Sequence, residues 1–159
     1  MSKEQNKAIV RRMFEGINQG NLAILDDFLA ANFVTHAVPP GMPPNGESHK
    51  RAVQLLHTAF PDYHVTVEDM IAEGDKVMAR LTVQGTQRVD FFGIPPTGKH
   101  VTWTAVDIFR FVDGKWVEYW LSTDSLGLLQ LLRAPHLQGT CKSIPYRAKI
   151  SNKKKGRNQ

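Results

Sequence analysis

The chain has 159 residues, of which 42% are apolar and 22% are charged, and this composition is typical of one soluble globular domain. No apolar run approaches the roughly 20 residues that cross a bilayer, and the N-terminal residues lack the apolar segment of a secretory signal. A single cysteine, Cys141, excludes an internal disulfide and suits a reducing cytoplasm. No group of Cys or His has the spacing of metal ligands, and there is no glycine-rich phosphate loop. We therefore expect a cytoplasmic protein that needs no metal or nucleotide cofactor.

The net charge of +5 originates at the C-terminal end of the sequence. Residues 142–159 contain seven basic and no acidic side chains, whereas residues 1–141 contain 13 basic and 15 acidic ones. We predict a single domain over residues 1–133 and a basic, disordered tail over residues 134–159. A basic tail can bind nucleic acid or anionic lipid without specificity, but this is the weaker interpretation. We expect no membrane partner and no specific nucleic-acid partner.

Three amphipathic helices are predicted in the first 60 residues. Apolar residues that recur every three or four positions predict the first helix over residues 3–18. Asn21 is expected to cap a second, short helix that runs through Leu29. The third helix is predicted to begin at Ser48 and to end before Pro61.

The strands follow the helices. A short strand is predicted over residues 32–38, and alternation with a period of two predicts longer strands over 63–71 and 77–83. A hairpin is predicted over 101–124, followed by a short apolar helix over 125–132. Helices followed by a run of strands indicate an α+β fold rather than a parallel, doubly wound sheet. We expect a curved, mostly antiparallel sheet with three N-terminal helices on its concave face, which would leave a cone-shaped cavity.

The hairpin over residues 101–124 contains the principal candidate for a functional residue. Its two strands flank Asp113-Gly114, a dipeptide that favours a tight turn. Alternation places six side chains on one face of the first strand. They are Val101, Trp103, Ala105, Asp107, Phe109 and Phe111. In the second strand, alternation places Val117, Tyr119, Leu121 and Thr123 on one side and Trp116, Glu118, Trp120 and Ser122 on the other.

Asp107 is a carboxylate in an otherwise apolar row, and burying a carboxylate is costly unless it is paired or open to a cavity. It is either a structural carboxylate bonded to a hydroxyl such as that of Tyr119, or a general acid/base in an apolar pocket. Burial would raise its pKa towards a catalytically useful value in the second case.

Two loops provide further candidates. His36 precedes a Pro- and Gly-rich loop over residues 39–46 and is either a structural histidine or a functional one. Phe91 belongs to a second loop, over 90–98, whose apolar side chains either pack on the rim of the domain or form the wall of a pocket.

Several stretches together resemble the SnoaL-like polyketide cyclases, also called ester cyclases. The matching stretches are N-F-V-T-H at 32–36, A-F-P-D-Y at 59–63, V-E-D-M-I-A-E-G-D-K-V at 67–77, F-F-G-I-P-P-T-G-K at 91–99 and V-D-I-F-R-F-V-D-G-K at 106–115. The resemblance covers residues 4–132 and excludes the basic tail. It implies the cone-shaped α+β fold that this family shares with nuclear transport factor and ketosteroid isomerase.

The resemblance also implies chemistry without a cofactor. A hydrogen next to a carbonyl group is removed, and the enolate closes a ring by intramolecular aldol addition. In family members that cyclise, the acid/base is an Asp that follows the Trp of the last strand, and here that position is Leu121. A second polar residue, commonly His, corresponds to Asp107. The carboxylate is therefore absent from its usual strand and present on the neighbouring strand.

Our functional hypothesis is a SnoaL-like enzyme that removes a proton from a small apolar carbonyl compound. Asp107 is the expected base, with Tyr119 or His36 as the hydrogen-bond partner of the enolate. Six further residues are expected to contact the substrate: Trp103, Phe109, Leu121, Phe91, Tyr63 and Thr123. The alternative is a non-catalytic module of the same fold that binds a small apolar ligand or acts as a dimeric scaffold.

The outer face of the hairpin predicts self-association. It is expected to carry Thr104, Val106, Ile108, Trp116 and Trp120, which together are too apolar to remain in water. The family resemblance also implies a dimer. We therefore expect a homodimer formed through this face of the sheet.

Overall fold

A computed structural model describes residues 2–133, so the predicted basic tail over residues 134–159 lies outside the described residues. The described part contains four helices and five strands. In chain order they are α1 (Lys3–Asn18), α2 (Ile24–Phe28), β1 (Leu29–Thr35), α3 (Gly46–Ala59), β2 (His64–Glu73), β3 (Lys76–Thr86), β4 (His100–Val112), β5 (Lys115–Thr123) and α4 (Ser125–Arg133). None of these helices is long and apolar enough to span a membrane.

The five strands form one curved, unclosed sheet in the order β1-β5-β4-β3-β2. The pairs β2–β3, β3–β4 and β4–β5 are antiparallel, whereas β1 pairs parallel with β5. α1 packs on β2 and β3, α3 packs on β1, and α4 packs on β4. The predicted α+β fold is confirmed. The helices pack on the concave face of the sheet, and the core side chains of the strands lie between this face and the helices.

The boundaries of the two short N-terminal elements differ from the prediction. α2 covers only Ile24–Phe28 and has no side-chain cap, so Asn21 is not its N-cap. Leu29, predicted to be helical, begins β1 instead. This strand pairs with β5 from its first residue, and the sheet hydrogen bonds compete successfully with the continuation of a short helix.

α3 begins two residues before the predicted start because its cap lies further upstream. The side chain of Asn45 accepts a hydrogen bond from the backbone N–H of Ser48 at 3.0 Å. This bond satisfies one of the first N–H groups of the helix, which have no partner within it. The first turn of α3 therefore lies over β1 and carries Ser48 and His49 into the interior.

The hairpin between β4 and β5 contains the predicted turn and one irregularity. Asp113 and Gly114 have φ angles of 47° and 76°, which the tight hairpin turn requires. The pairing then shifts: Phe111 pairs with Trp116, but Arg110 pairs with Glu118, so Val117 is an extra residue in β5. This β-bulge reverses the alternation, and Trp116, predicted on the outer face, lies in the core at 1% exposure.

Candidate active site

A cavity of about 460 Å³ lies between the concave face of the sheet and the helices. Most of its wall is apolar and comes from α1, α3, α4 and the three central strands. Representative side chains are Met13, Phe14, Leu56, Leu81, Val83 and Leu128. A cavity of this size and polarity suits a small organic molecule with few polar groups.

The mouth of the cavity carries exposed apolar side chains. Phe92, in the loop between β3 and β4, lines the cavity and is 71% exposed. Leu121 at the end of β5 also lines the cavity and is 40% exposed. Phe92 adopts a φ angle of 49°, which a large side chain rarely does. The loop therefore holds an aromatic ring at the entrance in a strained conformation.

Asp107 is the carboxylate in the wall of the cavity. It lies in the middle of β4 and is 5% exposed. Its Oδ2 accepts a hydrogen bond of 2.9 Å from the hydroxyl of Tyr119 on β5. Its Oδ1 is buried and has no hydrogen-bond partner among residues 2–133. The carboxyl group is thus held in place through one oxygen, while the other has an unused capacity to accept a proton or a hydrogen bond.

Burial dominates the electrostatics of this group. Removal from water raises the pKa of Asp107 from 3.8 to about 7, and the hydrogen bond from Tyr119 only partly opposes this rise. The pKa of Tyr63 and that of Tyr119 are also raised, first by burial and then by the nearby charge of Asp107. Near neutral pH, Asp107 therefore exists in both protonation states, whereas the two tyrosines keep their protons.

The structure brings most of the predicted site residues together. The cavity wall contains Asp107 and Tyr119 together with all six residues predicted to contact a substrate: Trp103, Phe109, Leu121, Phe91, Tyr63 and Thr123. Asp107 and Leu121 are directly opposite each other on β4 and β5. The usual carboxylate position of the family, occupied here by leucine, therefore lies next to the carboxylate that this chain possesses.

His36 is the predicted site residue that the structure places elsewhere. Its Nε2 lies 3.0 Å from Oε1 of Glu118, and its ring stacks on Trp120 at a centroid distance of 5.2 Å. Both partners project from the outer face of β5, because Tyr119 between them points into the cavity. His36 therefore does not meet Asp107, and its expected role as partner of the enolate is corrected on this geometry.

Among the residues of the cavity wall that were not predicted, His49 and Trp116 are the two that matter most for the chemistry and packing of the site. His49 on α3 precedes Ala52, Val53 and Leu56 at helical spacing, so the apolar stripe of this helix could have indicated that it faces inward. Trp116 lines the cavity because of the bulge in β5, and no feature of the sequence indicates where such a bulge occurs.

The cavity has no arrangement typical of a metal site. Within residues 2–133, no three His, Cys, Asp or Glu side chains come together as ligands for an ion. The polar residues that line the cavity are instead proton donors and acceptors: the carboxyl group of Asp107, the two phenols, the imidazole of His49 and the hydroxyl residues Thr123 and Ser125.

An α+β cone with a half-paired carboxyl group in an apolar cavity is an architecture suited to acid/base chemistry on small molecules. The sequence model of the SnoaL-like polyketide cyclases matches residues 7–132, and the chain belongs to this family. The predicted family resemblance is thereby confirmed, and a polyketide cyclase-type function is supported.

Three relatives with sequence or structural similarity match most of this chain. DnrD, the aklanonic acid methyl ester cyclase of Streptomyces peucetius, is 27% identical over 130 residues, which are 80% of this chain and 90% of DnrD. The structure of IdmH from Streptomyces antibioticus, provisionally assigned as a polyketide cyclase, is 32% identical with a TM-score of 0.71. The matched region covers 80% of this chain and 98% of IdmH. AclR from Streptomyces galilaeus, provisionally assigned as a hydroxylase, is 30% identical with a TM-score of 0.75, covering 82% of this chain and 97% of AclR.

Proposed function

We propose that this protein is a cofactor-independent cyclase that removes an α-proton from a small, mostly apolar carbonyl compound of the polyketide ester type. Asp107 is the base. The observation that carries this proposal is the state of its carboxyl group: one oxygen bonded to Tyr119, the other unpartnered, and a pKa raised to about 7 by burial in the cavity wall. A base whose pKa is near the working pH is ionised in a large fraction of molecules and still has a high affinity for the proton that it removes.

The reaction needs only groups that the cavity possesses. The bond between the α-carbon and its hydrogen breaks, the proton moves to Asp107, and the electron pair delocalises onto the adjacent carbonyl oxygen. The enolate carbon then attacks a second carbonyl carbon of the same molecule and forms the ring bond. Asp107 returns its proton to the alkoxide that results, so the base is regenerated.

Tyr119 and Tyr63 have different roles in this scheme. The single hydroxyl proton of Tyr119 is already donated to Asp107, so Tyr119 orients the carboxylate rather than contacting the enolate. The hydroxyl of Tyr63 has no hydrogen-bond partner among residues 2–133. Burial, and then the charge of Asp107, raise the pKa of Tyr63, so its hydroxyl lies in the electrostatic field of the carboxylate. We assign Tyr63 as a donor to the enolate oxygen, which stabilises the charge that develops during proton removal.

Position 107 is a more buried site for a carboxylate than position 121, where the family usually has one. Residue 121 is directly opposite residue 107, but Leu121 is 40% exposed at the mouth whereas Asp107 is 5% exposed. A carboxylate at 107 is therefore more desolvated than one at 121 and is a stronger base for the same chemistry.

The proposal is tested by deuterium exchange. Loss of the α-proton signal of ethyl 2-methyl-3-oxo-3-phenylpropanoate in D₂O reports proton removal without requiring ring closure. Asp107→Asn should reduce the protein-dependent exchange rate by roughly 10²–10⁴-fold, the usual contribution of a general base. Asp69→Asn is the matched control, because Asp69 is an exposed carboxylate paired with Arg80 on β3. It should leave the rate unchanged.

Leu121→Asp restores a carboxylate at the family's usual position and so tests whether the cavity can remove the α-proton at all. If wild-type protein binds the ester but neither it nor Leu121→Asp accelerates exchange, the cyclase proposal fails. The protein is then the non-catalytic binding module of the same fold.

A further inference from the structure

His49 is a buried polar residue that the proposed mechanism does not use. It lies in the first turn of α3, is 6% exposed, and contributes to the wall of the cavity. Its ring makes edge contacts with Trp116 and Tyr119, each at a centroid distance of 4.9 Å, and with Phe33 at 5.5 Å. The imidazole is therefore packed among three aromatic rings.

The imidazole has no polar partner within the described part of the chain. Neither of its nitrogens makes a hydrogen bond to residues 2–133, and neither is among the fully buried polar atoms that lack a partner. A neutral imidazole carries one donor and one acceptor. His49 lines the cavity, so its nitrogens are open to the cavity rather than sealed in the core. They are therefore available to bond a ligand that occupies the cavity.

His49 lies at the polar end of the cavity. Its ring contacts the ring of Tyr119, and the hydroxyl of the same tyrosine is bonded to Asp107. Apart from Tyr63, Thr123 and Ser125, the remaining lining of the cavity is apolar. A ligand whose reacting carbon meets Asp107 could direct an adjacent oxygen past the ring of Tyr119 towards His49.

We propose that His49 contacts the substrate and donates a hydrogen bond from its imidazole N–H to a carbonyl oxygen, which becomes the enolate oxygen during proton removal. This inference rests on the proposed function and adds a recognition element to it: the ligand carries a carbonyl group at the end of the cavity formed by α3 and β5. Burial lowers the pKa of His49 to about 4, so the ring is neutral at pH 7 and donates a hydrogen bond without transferring its proton.

The experiment compares two ligands that differ only in a carbonyl group. Butyrophenone and butylbenzene have the same phenyl ring and the same four-carbon chain, and neither is activated for reaction. Their dissociation constants are measured by NMR titration of wild-type protein and of His49→Phe, which retains the ring and removes both nitrogens. His49→Phe should weaken butyrophenone binding about 5–10-fold, with tenfold corresponding to ~1.4 kcal/mol, and should leave butylbenzene binding within about twofold.

A second histidine on the same helix provides the control. His57 is half-buried and its Nε2 also has no partner among residues 2–133, but it does not line the cavity. His57→Phe should change the affinity for neither ligand. In ¹⁵N-labelled wild-type protein, the imidazole resonance of His49 should shift with butyrophenone and not with butylbenzene, a response that a purely structural histidine would not give.

Three results would overturn the proposal: equal weakening of both ligands by His49→Phe, unchanged butyrophenone affinity, or binding of neither ligand to folded wild-type protein. The proposed function is tested separately. If Asp107→Asn leaves exchange intact while His49→Phe removes the preference for the carbonyl ligand, the base assignment fails and the His49 contact stands.

Discussion

The chemistry attributed to this protein depends on one carboxyl group whose surroundings favour its protonated form. Asp107 is buried in an apolar wall, and the single hydrogen bond from Tyr119 compensates only part of the lost hydration. The same burial that makes Asp107 a useful base also makes it a source of instability when it is ionised. Function and stability are therefore linked through the pKa of this residue.

Asp107→Asn should change the pH dependence of stability. The folded pKa of Asp107, about 7, lies above its value of 3.8 in the unfolded chain, so between these values the folded state binds the extra proton. Its contribution is fully present below pH 3.8 and is lost as pH rises through 7. Asparagine does not titrate, so the variant does not lose stability in this way as pH rises. Its free energy of unfolding relative to wild type should therefore be about 1–4 kcal/mol higher, meaning greater relative stability, at pH 8.5 than at pH 4.5.

Urea denaturation at the two pH values measures this difference, and Asp69→Asn serves as the control for removing an exposed carboxylate. An Asp107→Asn variant that is destabilised equally at pH 4.5 and pH 8.5 would show that the carboxyl group ionises as an ordinary one does.

At the level of elements, the contact between α1 and α2 depends on one glycine. A Cβ atom at Gly16 would lie 2.7 Å from Cγ2 of Ile24, closer than two carbon atoms can approach. Gly16 thus has a packing function that outweighs its low helix propensity. The residue that weakens α1 in isolation is the one that lets α2 pack against it.

Gly16→Ala should therefore destabilise the protein by about 1–3 kcal/mol despite the higher helix propensity of alanine. The matched control is Gly46→Ala at the start of α3, where a Cβ would be 3.6 Å from Cδ1 of Leu29, an ordinary contact. That substitution should be neutral or slightly stabilising. Thermal denaturation measures both effects. Gly16→Ala should be partly rescued by Ile24→Ala, and absence of rescue would mean that the clash is not the cause.

Periodicity was sufficient to predict the elements that carry the site. Alternation in β4 correctly placed Trp103, Asp107 and Phe109 on one buried face because β4 pairs regularly with β3 over its whole length. The same reasoning failed for Trp116, since the bulge at Val117 inserts one residue and the pairing that creates it is not a local property.

Long-range geometry explains the errors in the candidate site. His36 was predicted within a strand over 32–38, but β1 ends at Thr35 and His36 follows it. The parallel pairing of β1 with β5 directs its ring to the outer face, and neither the pairing nor this direction can be read from the residues themselves. His49 was missed although the apolar stripe of α3 indicates that it faces inward, because helical spacing alone does not show that an inward-facing histidine borders a cavity. Its importance follows only from the three aromatic rings that surround it.

At the level of the whole molecule, the outer face of the sheet carries an apolar row that crosses four strands. Ile71, Met78, Ile108 and Trp120 are successive cross-strand partners from β2 to β5. Ile71 and Met78 are exposed, whereas Trp116, expected here from the alternation, is in the core. The row forms a continuous surface even without Trp116, and we propose that it is the interface of a homodimer.

Ile108→Glu should convert this dimer into a monomer, because it places a charge at the centre of the apolar row without altering the cavity. Sedimentation at tens of micromolar measures the state of assembly. Leu126→Glu is the control, since Leu126 is an equally apolar, exposed residue on α4 away from this face. Wild-type protein that sediments as a monomer would contradict the proposal.

The pH dependence of deuterium exchange tests the role of Asp107 most directly. Only the ionised carboxylate accepts a proton, so the protein-dependent exchange rate of the β-keto ester should rise with pH and level off, with a midpoint near 7. Asp107→Asn should show no such midpoint at any pH. A wild-type midpoint near 4, typical of an exposed aspartate, or a rate independent of pH would contradict the assignment of Asp107 as the base.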